Sequence, residues 1–397
     1  MTPSPRMRVA LTALALLIAS ATGVAPAHAT VPPAPAVTAE GWVVYDPHDE
    51  VVLAGHEADA ARRMASTTKI MTALLAIEAG ALGNSVTVSA AAATADDVPG
   101  AATLGLVAGQ QVPMRALLPA LLLRSGNDAA AAVAEHVASS RTAFVALMNA
   151  RAAELGLTQT HFVDASGLTD DPTHHASPRD LAALAVVAMQ HPEFAEWVDS
   201  ATLNVPPFGV LDNRNELVRT YAGATGVKTG FTTLAGLCLV ASATRDGRDL
   251  YVTVLDSAVD PSRRQHFVDS AALLDYGFAG WRRAQPVPVG ARATRYRWAD
   301  AAVPLQPADH LARTVPSDAS VTWRTALDLD VARSVAPGST VGILELLVDG
   351  RVVESTPLVT ATAVPSRQPQ APAAAAGAAV QDALRDFVRT VPFERTA

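Results

Sequence analysis

The chain is almost free of lysine. Only two of its thirty basic side chains are lysines, Lys69 and Lys228, and all the others are arginines. Arginine stays protonated in proteins, whereas a lysine ammonium can lose its proton when it is desolvated or placed beside another cation. Because arginine serves wherever a positive charge is sufficient, the two lysine positions indicate proton chemistry.

Cysteine is nearly absent as well, and no histidine cluster replaces it. The single cysteine, Cys238, excludes an intramolecular disulfide. It lies in the apolar run 236–240, which favours a buried strand thiol over a nucleophile. His174 and His175 have no further ligand at a metal-binding spacing, so we expect a polar loop there and no metal centre.

Long apolar runs and basic clusters are also missing beyond the amino terminus. No later stretch is long enough for a transmembrane helix, and an acidic chain of net charge −8 without a basic patch argues against nucleic acid as a partner. Arg6 and Arg8 precede the apolar stretch 9–20, and Ala27-His28-Ala29 is a small-x-small cleavage site. This order predicts a signal peptide over residues 1–29 and an exported protein of the cell envelope, periplasmic or extracellular.

Three short motifs contain or connect the two lysines. They are Ser66-Thr67-Thr68-Lys69, Ser125-Gly126-Asn127 and Lys228-Thr229-Gly230. The first pattern alone occurs often by chance, and Ser-Gly-Asn is an ordinary turn composition. Their order along the chain makes the combination specific, because it is close to the signature of penicillin-binding proteins and β-lactamases.

The chain resembles the low-molecular-weight D-alanyl-D-alanine carboxypeptidases, serine peptidases that trim peptidoglycan stem peptides. The resemblance covers roughly residues 40–280 and includes the segments 65–73, 125–129, 162–168, 226–232 and 239–243. It implies an α+β fold, an antiparallel sheet flanked by helices, and activity without a metal or organic cofactor. It also implies that stem peptides ending in D-Ala-D-Ala are the substrate and that β-lactams are inhibitors.

The hydrophobic pattern by itself also predicts helices packed on an antiparallel sheet. The predicted strands are 42–45, 51–53, 237–242 and 250–255, the last two joined by a turn at Asp246-Gly247. The predicted helices begin near Ser66, cover residues 112–123, and begin again at the capping sequence Ser177-Pro178.

The carboxyl-terminal part has a different composition, rich in Pro, Val, Thr and Arg. We expect a small β-sandwich over residues 285–363, with its clearest hairpin at 341–359, and a Pro/Ala-rich linker at 364–379. Residues 380–397 have one apolar helical face. Related enzymes lay such a helix on the membrane surface, but the mixed charges here slightly favour a frayed helix or one docked on its own protein.

Ser66 and Lys69 are spaced for acyl transfer. On a helix, residues three apart lie on one face, so the amine of Lys69 can reach the hydroxyl of Ser66. The helix start and the charge of Lys228 both favour a neutral amine. We expect Ser66 to be the nucleophile and Lys69 its base. Ser125 would bridge the two lysines and protonate the leaving amine. Asn127 would orient the substrate amide and Lys69.

The third motif fits an edge strand that binds the peptide end. Gly230 would leave space for the substrate backbone, while Lys228 and Thr229 would attract its terminal carboxylate. The resemblance assigns a further carboxylate contact to Arg263, with Arg264 as a near competitor.

Phe231 stands where relatives often have histidine. This difference affects side-chain contacts and penicillin sensitivity, but it leaves the backbone donor intact. We therefore expect the backbone N–H groups of Ser66 and Phe231 to stabilise the oxyanion.

Alternatives stay open on the sequence. A class A β-lactamase would need a glutamate in an E-x-x-L-N pattern, which none of Glu135, Glu154, Glu193, Glu196 and Glu216 provides. An endopeptidase or transpeptidase would differ only in its acceptor, which the loops determine. A catalytically inert cell-wall-binding protein would have lost a motif residue, and none is lost.

Overall fold

The computed structural model describes residues 32–95, 101–284, 294–298, 301–309, 311–327 and 335–363. The predicted signal peptide, linker and carboxyl-terminal helix lie outside these residues. Across the described part of the chain, no helix combines the length and apolar character needed to cross a membrane.

Helices and strands alternate irregularly along the chain. The helices are α1 Lys69–Glu78, α2 Ala90–Ala93, α3 Met114–Arg124, α4 Asn127–Ala138, α5 Arg141–Glu154, α6 Pro178–Met189, α7 Pro192–Asp199, α8 Leu217–Thr220 and α9 Gln265–Gly280, with 3-10 turns at Ala65–Thr68 and Ala81–Gly83. The strands are β1 Gly41–Asp46, β2 Val51–His56, β3 Ser85–Thr87, β4 Gln111–Pro113, β5 Thr202–Asn204, β6 Val210–Asp212, β7 Ala224–Thr232, β8 Gly236–Arg245, β9 Arg248–Ser257, β10 Trp281–Ala284, β11 Thr294–Trp298, β12 Ala301–Pro307, β13 Arg313–Pro316, β14 Val321–Leu327, β15 Thr340–Val348 and β16 Arg351–Thr360.

A five-stranded antiparallel sheet in the order β2-β1-β9-β8-β7 forms the centre of the molecule. Successive side chains of a strand point to opposite faces, so adjacent residues join different cores. Val43 and Tyr45 pack with α1, α3 and α4 on one face, while Val44 packs with Leu273 and Leu274 of α9 on the other. This arrangement confirms the predicted α+β fold and leaves β7 at the edge of the sheet.

The structure contains the predicted elements, and some of their boundaries differ from the prediction. Ser177 caps α6 by accepting the N–H of Asp180, as its sequence indicates. The helix predicted to begin at Val112 begins only at Met114, so that boundary was wrong. Val112 pairs with Val86 in the β3–β4 ribbon, and this tertiary pairing overrides the local helical pattern.

Among the described residues between 294 and 363, the regular structure is all-β, as expected. A five-stranded sheet in the order β11-β12-β16-β15-β14 contains the predicted hairpin, whose turn is Asp349-Gly350. A second ribbon, β10–β13, begins at Trp281 and therefore before the expected boundary at 285.

The turn between β1 and β2 contacts this ribbon. Asp49 forms an ion pair with Arg283 at 3.3 Å, and it accepts the backbone N–H of Thr314. The hydroxyl of Thr314 donates to Asp46. The ribbon is therefore bound directly to the central sheet.

Candidate active site

Ser66 lies in a 3-10 turn that leads directly into α1. The α-helix itself begins at Lys69, so the expected helix start is a tighter turn than predicted. In a 3-10 turn the side chains at i and i+3 eclipse each other, which brings Ser66 Oγ to 3.0 Å from Lys69 Nζ. Ser66 stays partly exposed, whereas Lys69 is completely buried.

Two further oxygen atoms hold the amine of Lys69. Its Nζ donates to Asn127 Oδ1 at 2.6 Å and to the backbone carbonyl of Ser166 at 2.6 Å. Both acceptors are carbonyl oxygens, which cannot donate in return. The amine is therefore fixed in position. In the third contact, a charged Lys69 donates to Ser66 Oγ, whereas a neutral Lys69 can accept the hydroxyl proton of Ser66.

The contribution of Ser166 was missed by sequence reasoning. The carboxylate of Asp164 accepts hydrogen bonds from the N–H groups of Ser166 and Gly167 and from the hydroxyl of Ser166. These bonds hold residues 164–167 in a tight turn. Gly167 has φ +81°, and a Cβ there would lie 1.9 Å from the carbonyl oxygen of Ala65. An aspartate followed by serine and glycine is a recognisable turn sequence that could have identified this segment.

Ser125 and Asn127 lie where α3 ends and α4 begins. Ser125 is buried in a left-handed conformation with φ +64°, and Asn127 is the first residue of α4. The bridge from Ser125 to both lysines stays a prediction. Asp128, which the sequence analysis gave no role, accepts the N–H groups of Leu104 and Leu106 and so binds loop 101–106 to α4 beside the site.

Lys228 lies on β7 with only 1% of its surface exposed. Its Nζ donates to the carbonyl of Thr229 at 3.0 Å. Burial, then the charge of Lys69, then that of Arg214 hold the pKa of Lys228 well below its usual value. The two lysines therefore belong to one site, as the sequence predicts. The expectation that Lys69 carries the neutral amine stays a prediction.

Gly230 is required by the protein itself. A Cβ at this position would lie 3.0 Å from the carbonyl oxygen of Met64 and 3.1 Å from the backbone nitrogen of Ser66. The missing side chain lets β7 approach the turn that contains Ser66. That it also leaves space for the substrate backbone stays a prediction.

Arg263 and Arg264 separate clearly in the structure. The guanidinium of Arg263 lies 4.6 Å from the centre of the Phe231 ring, next to the third motif. Arg264 forms an ion pair with Glu216. Asp260 accepts the N–H of Arg264, and its side chain orders this loop. The geometry thus brings Arg263, and not Arg264, to β7.

His174 lies in a loop before α6, as the sequence predicts, although its side chain is not solvated. It is buried, its Nε2 lies 2.8 Å from Thr68 Oγ1, and its Nδ1 accepts the N–H of Val163 at 3.1 Å. Burial lowers the pKa of His174 to about 4. In the described part of the chain, no group of three or more His, Cys, Asp or Glu side chains is placed to hold a metal ion.

Cys238 is a buried strand thiol, as predicted. It lies on β8 opposite Gly230, and burial raises its pKa to about 12. A thiol that stays protonated is a poor nucleophile, so Cys238 packs and does not react.

Comparison with known proteins gives one consistent answer. The family model for D-alanyl-D-alanine carboxypeptidase, peptidase family S11, matches residues 28–259. The chain is 36% identical to the D-alanyl-D-alanine carboxypeptidase DacB2 of Mycobacterium tuberculosis, over 62% of this chain and 84% of that protein. It is 32% identical to DacA of Escherichia coli, over 84% of this chain and 86% of that one.

The solved structures agree with the sequence comparisons. The crystal structure of penicillin binding protein 6B from Escherichia coli matches with a TM-score of 0.69 and 28% identity. The match covers 84% of this chain and 99% of that chain, so it includes both the central sheet and the carboxyl-terminal β part.

Proposed function

The chain belongs to the D-alanyl-D-alanine carboxypeptidase family of serine peptidases, and we propose that Ser66 is the nucleophile with which it removes the terminal D-alanine of peptidoglycan stem peptides. The observation that carries this assignment is the 3.0 Å contact between Ser66 Oγ and Lys69 Nζ. Nucleophile and base at hydrogen-bonding distance are the requirement for activating a serine hydroxyl.

The partners of Lys69 suit a base. A neutral amine has two N–H bonds and one lone pair. The carbonyl oxygens of Asn127 and Ser166 accept the two N–H bonds, so the lone pair is left for the hydroxyl proton of Ser66. The lowered pKa of Lys228 supports the view that the pair does not hold two charges at neutral pH.

The reaction then proceeds as acyl transfer. Ser66 Oγ attacks the carbonyl carbon of the penultimate D-alanine while its proton moves to Lys69. The N–H groups of Ser66 and Phe231 donate hydrogen bonds to the developing oxyanion. The C–N bond breaks as Ser125 passes its proton to the leaving amine of D-alanine and takes up in exchange the proton held by Lys69. Water then attacks the ester carbonyl, Lys69 takes one proton from the water, and that proton returns to Ser66 Oγ as the ester bond breaks.

The substrate carboxylate would bind at the β7 side of the site. Thr229 and Lys228 lie on this strand, and Arg263 stands over Phe231 beside it. An arginine fork matches a carboxylate in geometry as well as charge. Asn127, at the opposite side, would orient the peptide amide together with Lys69.

We also propose that penicillins acylate Ser66, since the strained β-lactam amide mimics the terminal dipeptide. Solved relatives are named as penicillin binding proteins, which supports this extension. The sequence pattern of residues 1–29 supports export to the cell envelope, where the substrate lies.

The test combines an adduct measurement with a product measurement. Mass spectrometry after incubation with benzylpenicillin should show one covalent adduct on the peptide that contains Ser66, and a D-Ala-D-Ala peptide should release one D-alanine. Ser66→Ala should abolish both. Release of D-alanine by Ser66→Ala at the parent rate would refute the assignment, and rapid turnover of penicillin would indicate a β-lactamase.

A further inference from the structure

A chain of hydrogen bonds runs from His174 to the turn that contains Ser66. The backbone N–H of Val163 donates to His174 Nδ1 at 3.1 Å, so the neutral ring carries its proton on Nε2. Nε2 then donates to Thr68 Oγ1 at 2.8 Å, and the Thr68 hydroxyl donates to the carbonyl oxygen of Ala65 at 2.7 Å. Each donor in this series has one acceptor, which fixes the direction of the whole chain.

The end of this chain is a particular peptide unit. The carbonyl of Ala65 and the N–H of Ser66 belong to the same planar amide. A hydrogen bond to the carbonyl oxygen polarises that amide and so strengthens its N–H as a donor. It also fixes the plane of the amide and therefore the direction in which the Ser66 N–H points.

The backbone at this point needs such support. Ala65 has φ +47°, a conformation that residues with a side chain adopt uncommonly and that persists only where the surroundings impose it. Gly167 leaves room both for the Ala65 carbonyl and for the Thr68 hydroxyl that donates to it.

We propose that His174 and Thr68 are positioning residues that orient the Ala65–Ser66 peptide and strengthen the Ser66 N–H as an oxyanion donor. The inference rests on the proposed function, because the N–H has this task only if Ser66 is acylated. Neither side chain contacts the substrate. They act through the peptide unit and not through the serine hydroxyl.

The chain requires that Nδ1 of His174 stay unprotonated. The carboxylates of Asp164 and Asp171 favour protonation of the ring, whereas His161 and His175 oppose it. Burial outweighs all four and lowers the pKa of His174 to about 4. The direction of the hydrogen bonds is thus retained at neutral pH, and the ring of Phe162 packs edge-on against it.

Thr67 offers a matched control for Thr68. It is equally buried, and its hydroxyl also donates to the carbonyl three residues earlier, Met64, at 2.7 Å. That carbonyl belongs to the peptide whose N–H is on Ala65, outside the expected oxyanion site. Thr67→Val and Thr68→Val therefore remove chemically identical hydrogen bonds from neighbouring peptides.

The experiment measures the acylation rate constant and the dissociation constant for benzylpenicillin separately by stopped-flow mixing, with active-site titration and thermal unfolding of each variant. Loss of a whole oxyanion donor slows catalysis by about 10²- to 10³-fold, so loss of its orientation in Thr68→Val should slow acylation roughly tenfold, with binding unchanged. Thr68→Ser should restore the rate. Thr67→Val should lower the melting temperature without slowing acylation.

His174→Asn gives a second, independent variant in case Thr68→Val does not fold. It leaves Thr68 in place and removes the Nε2 donor, and it should also slow acylation without weakening binding. Acylation at the parent rate in a folded Thr68→Val or His174→Asn variant would overturn the proposal, as would equal slowing by Thr67→Val. If the parent protein forms no penicillin adduct, the proposed function itself fails.

Discussion

The two walls of the active site are built differently. We call Ser66, Thr68 and Lys69, together with 164–167 and His174, the nucleophile wall, and residues 228–231 with Arg263 the carboxylate wall. In the nucleophile wall, Lys69 is completely buried and its amine has three oxygen contacts within 3.0 Å. The carboxylate wall consists of an edge strand and an exposed arginine that stands over a half-buried ring.

The difference follows from what each wall has to do. Bond making requires reacting atoms held within a few tenths of an ångström, and only side chains locked by packing and hydrogen bonds achieve this. Binding a flexible peptide end requires an accessible edge and a charge that can adjust. We therefore expect changes in the nucleophile wall to lower the rate of bond formation, and changes in the carboxylate wall to lower selectivity by smaller factors.

Lys69→Arg should have the largest effect, because it keeps the charge and removes the base. A guanidinium does not release its proton at neutral pH, and general-base catalysis contributes about 10²- to 10⁴-fold in rate. The acylation rate constant for penicillin should therefore fall by roughly that factor. Ser66→Ala supplies the baseline, since it can form no adduct at all. A Lys69→Arg variant that acylates within tenfold of the parent would exclude Lys69 as the base.

Sequence reasoning identified the chemistry of the nucleophile wall better than its support. The scarcity of lysine singled out Lys69 and Lys228, and the structure places both in one buried site. The contact between Lys69 and the Ser166 carbonyl was not predicted, because every residue has a backbone carbonyl and the sequence does not mark which one will be an acceptor. The burial of His174 depends on a contact with Thr68, 106 residues away, which no local pattern contains.

The same limit explains the errors in the fold. Val112 was assigned to a helix because its local pattern is helical, but its pairing with Val86 in the β3–β4 ribbon decides its structure. Gly230 was correctly recognised as a place of close approach. The approach of the turn at Met64 and Ser66 was not foreseen, since only the tertiary structure shows it, and the approach of a substrate backbone stays a prediction.

Arg263→Gln should weaken recognition by the carboxylate wall. A hydrogen bond between charged groups contributes about 1.5–3 kcal/mol, so kcat/KM for a D-Ala-D-Ala peptide should fall roughly ten- to hundredfold. The same peptide with an amidated carboxyl terminus should react equally with both proteins. Arg264→Gln is the matched control, because Arg264 is paired with Glu216, whereas the guanidinium over the Phe231 ring is that of Arg263. An equal loss on the amidated peptide would show that Arg263 does not bind the carboxylate.

Phe231→Leu should have a smaller effect through the same arginine. A cation–π contact at an exposed site contributes about 0.5–1 kcal/mol, so kcat/KM for the acid peptide should fall about two- to fivefold. The backbone N–H of residue 231 remains, so the acylation rate constant at saturating penicillin should be retained. In an Arg263→Gln background the substitution should cost nothing more. Additive losses in the double variant would show that the two side chains act separately.

Arg214→Gln tests whether the two walls are coupled through charge, and its expected effect is the smallest. The charge of Arg214 lowers the pKa of Lys228, although burial and Lys69 contribute more. Removing that charge favours the protonated amine and raises the pKa of Lys228. At a given acidic pH, fewer molecules have then lost a proton from the lysine pair, so the acid limb of acylation should move to higher pH.

The measurement is the acylation rate constant for penicillin as a function of pH, in the parent and in Arg214→Gln. Arg141→Gln is the control, because Arg141 is exposed at the start of α5 and is not among the charges that shift Lys228. A displacement of the acid limb to lower pH would contradict the expected rise in the pKa of Lys228. A displacement of the acid limb to higher pH in Arg214→Gln alone would show that the proton affinity of Lys228, in the carboxylate wall, is coupled to the acylation that Lys69, in the nucleophile wall, assists.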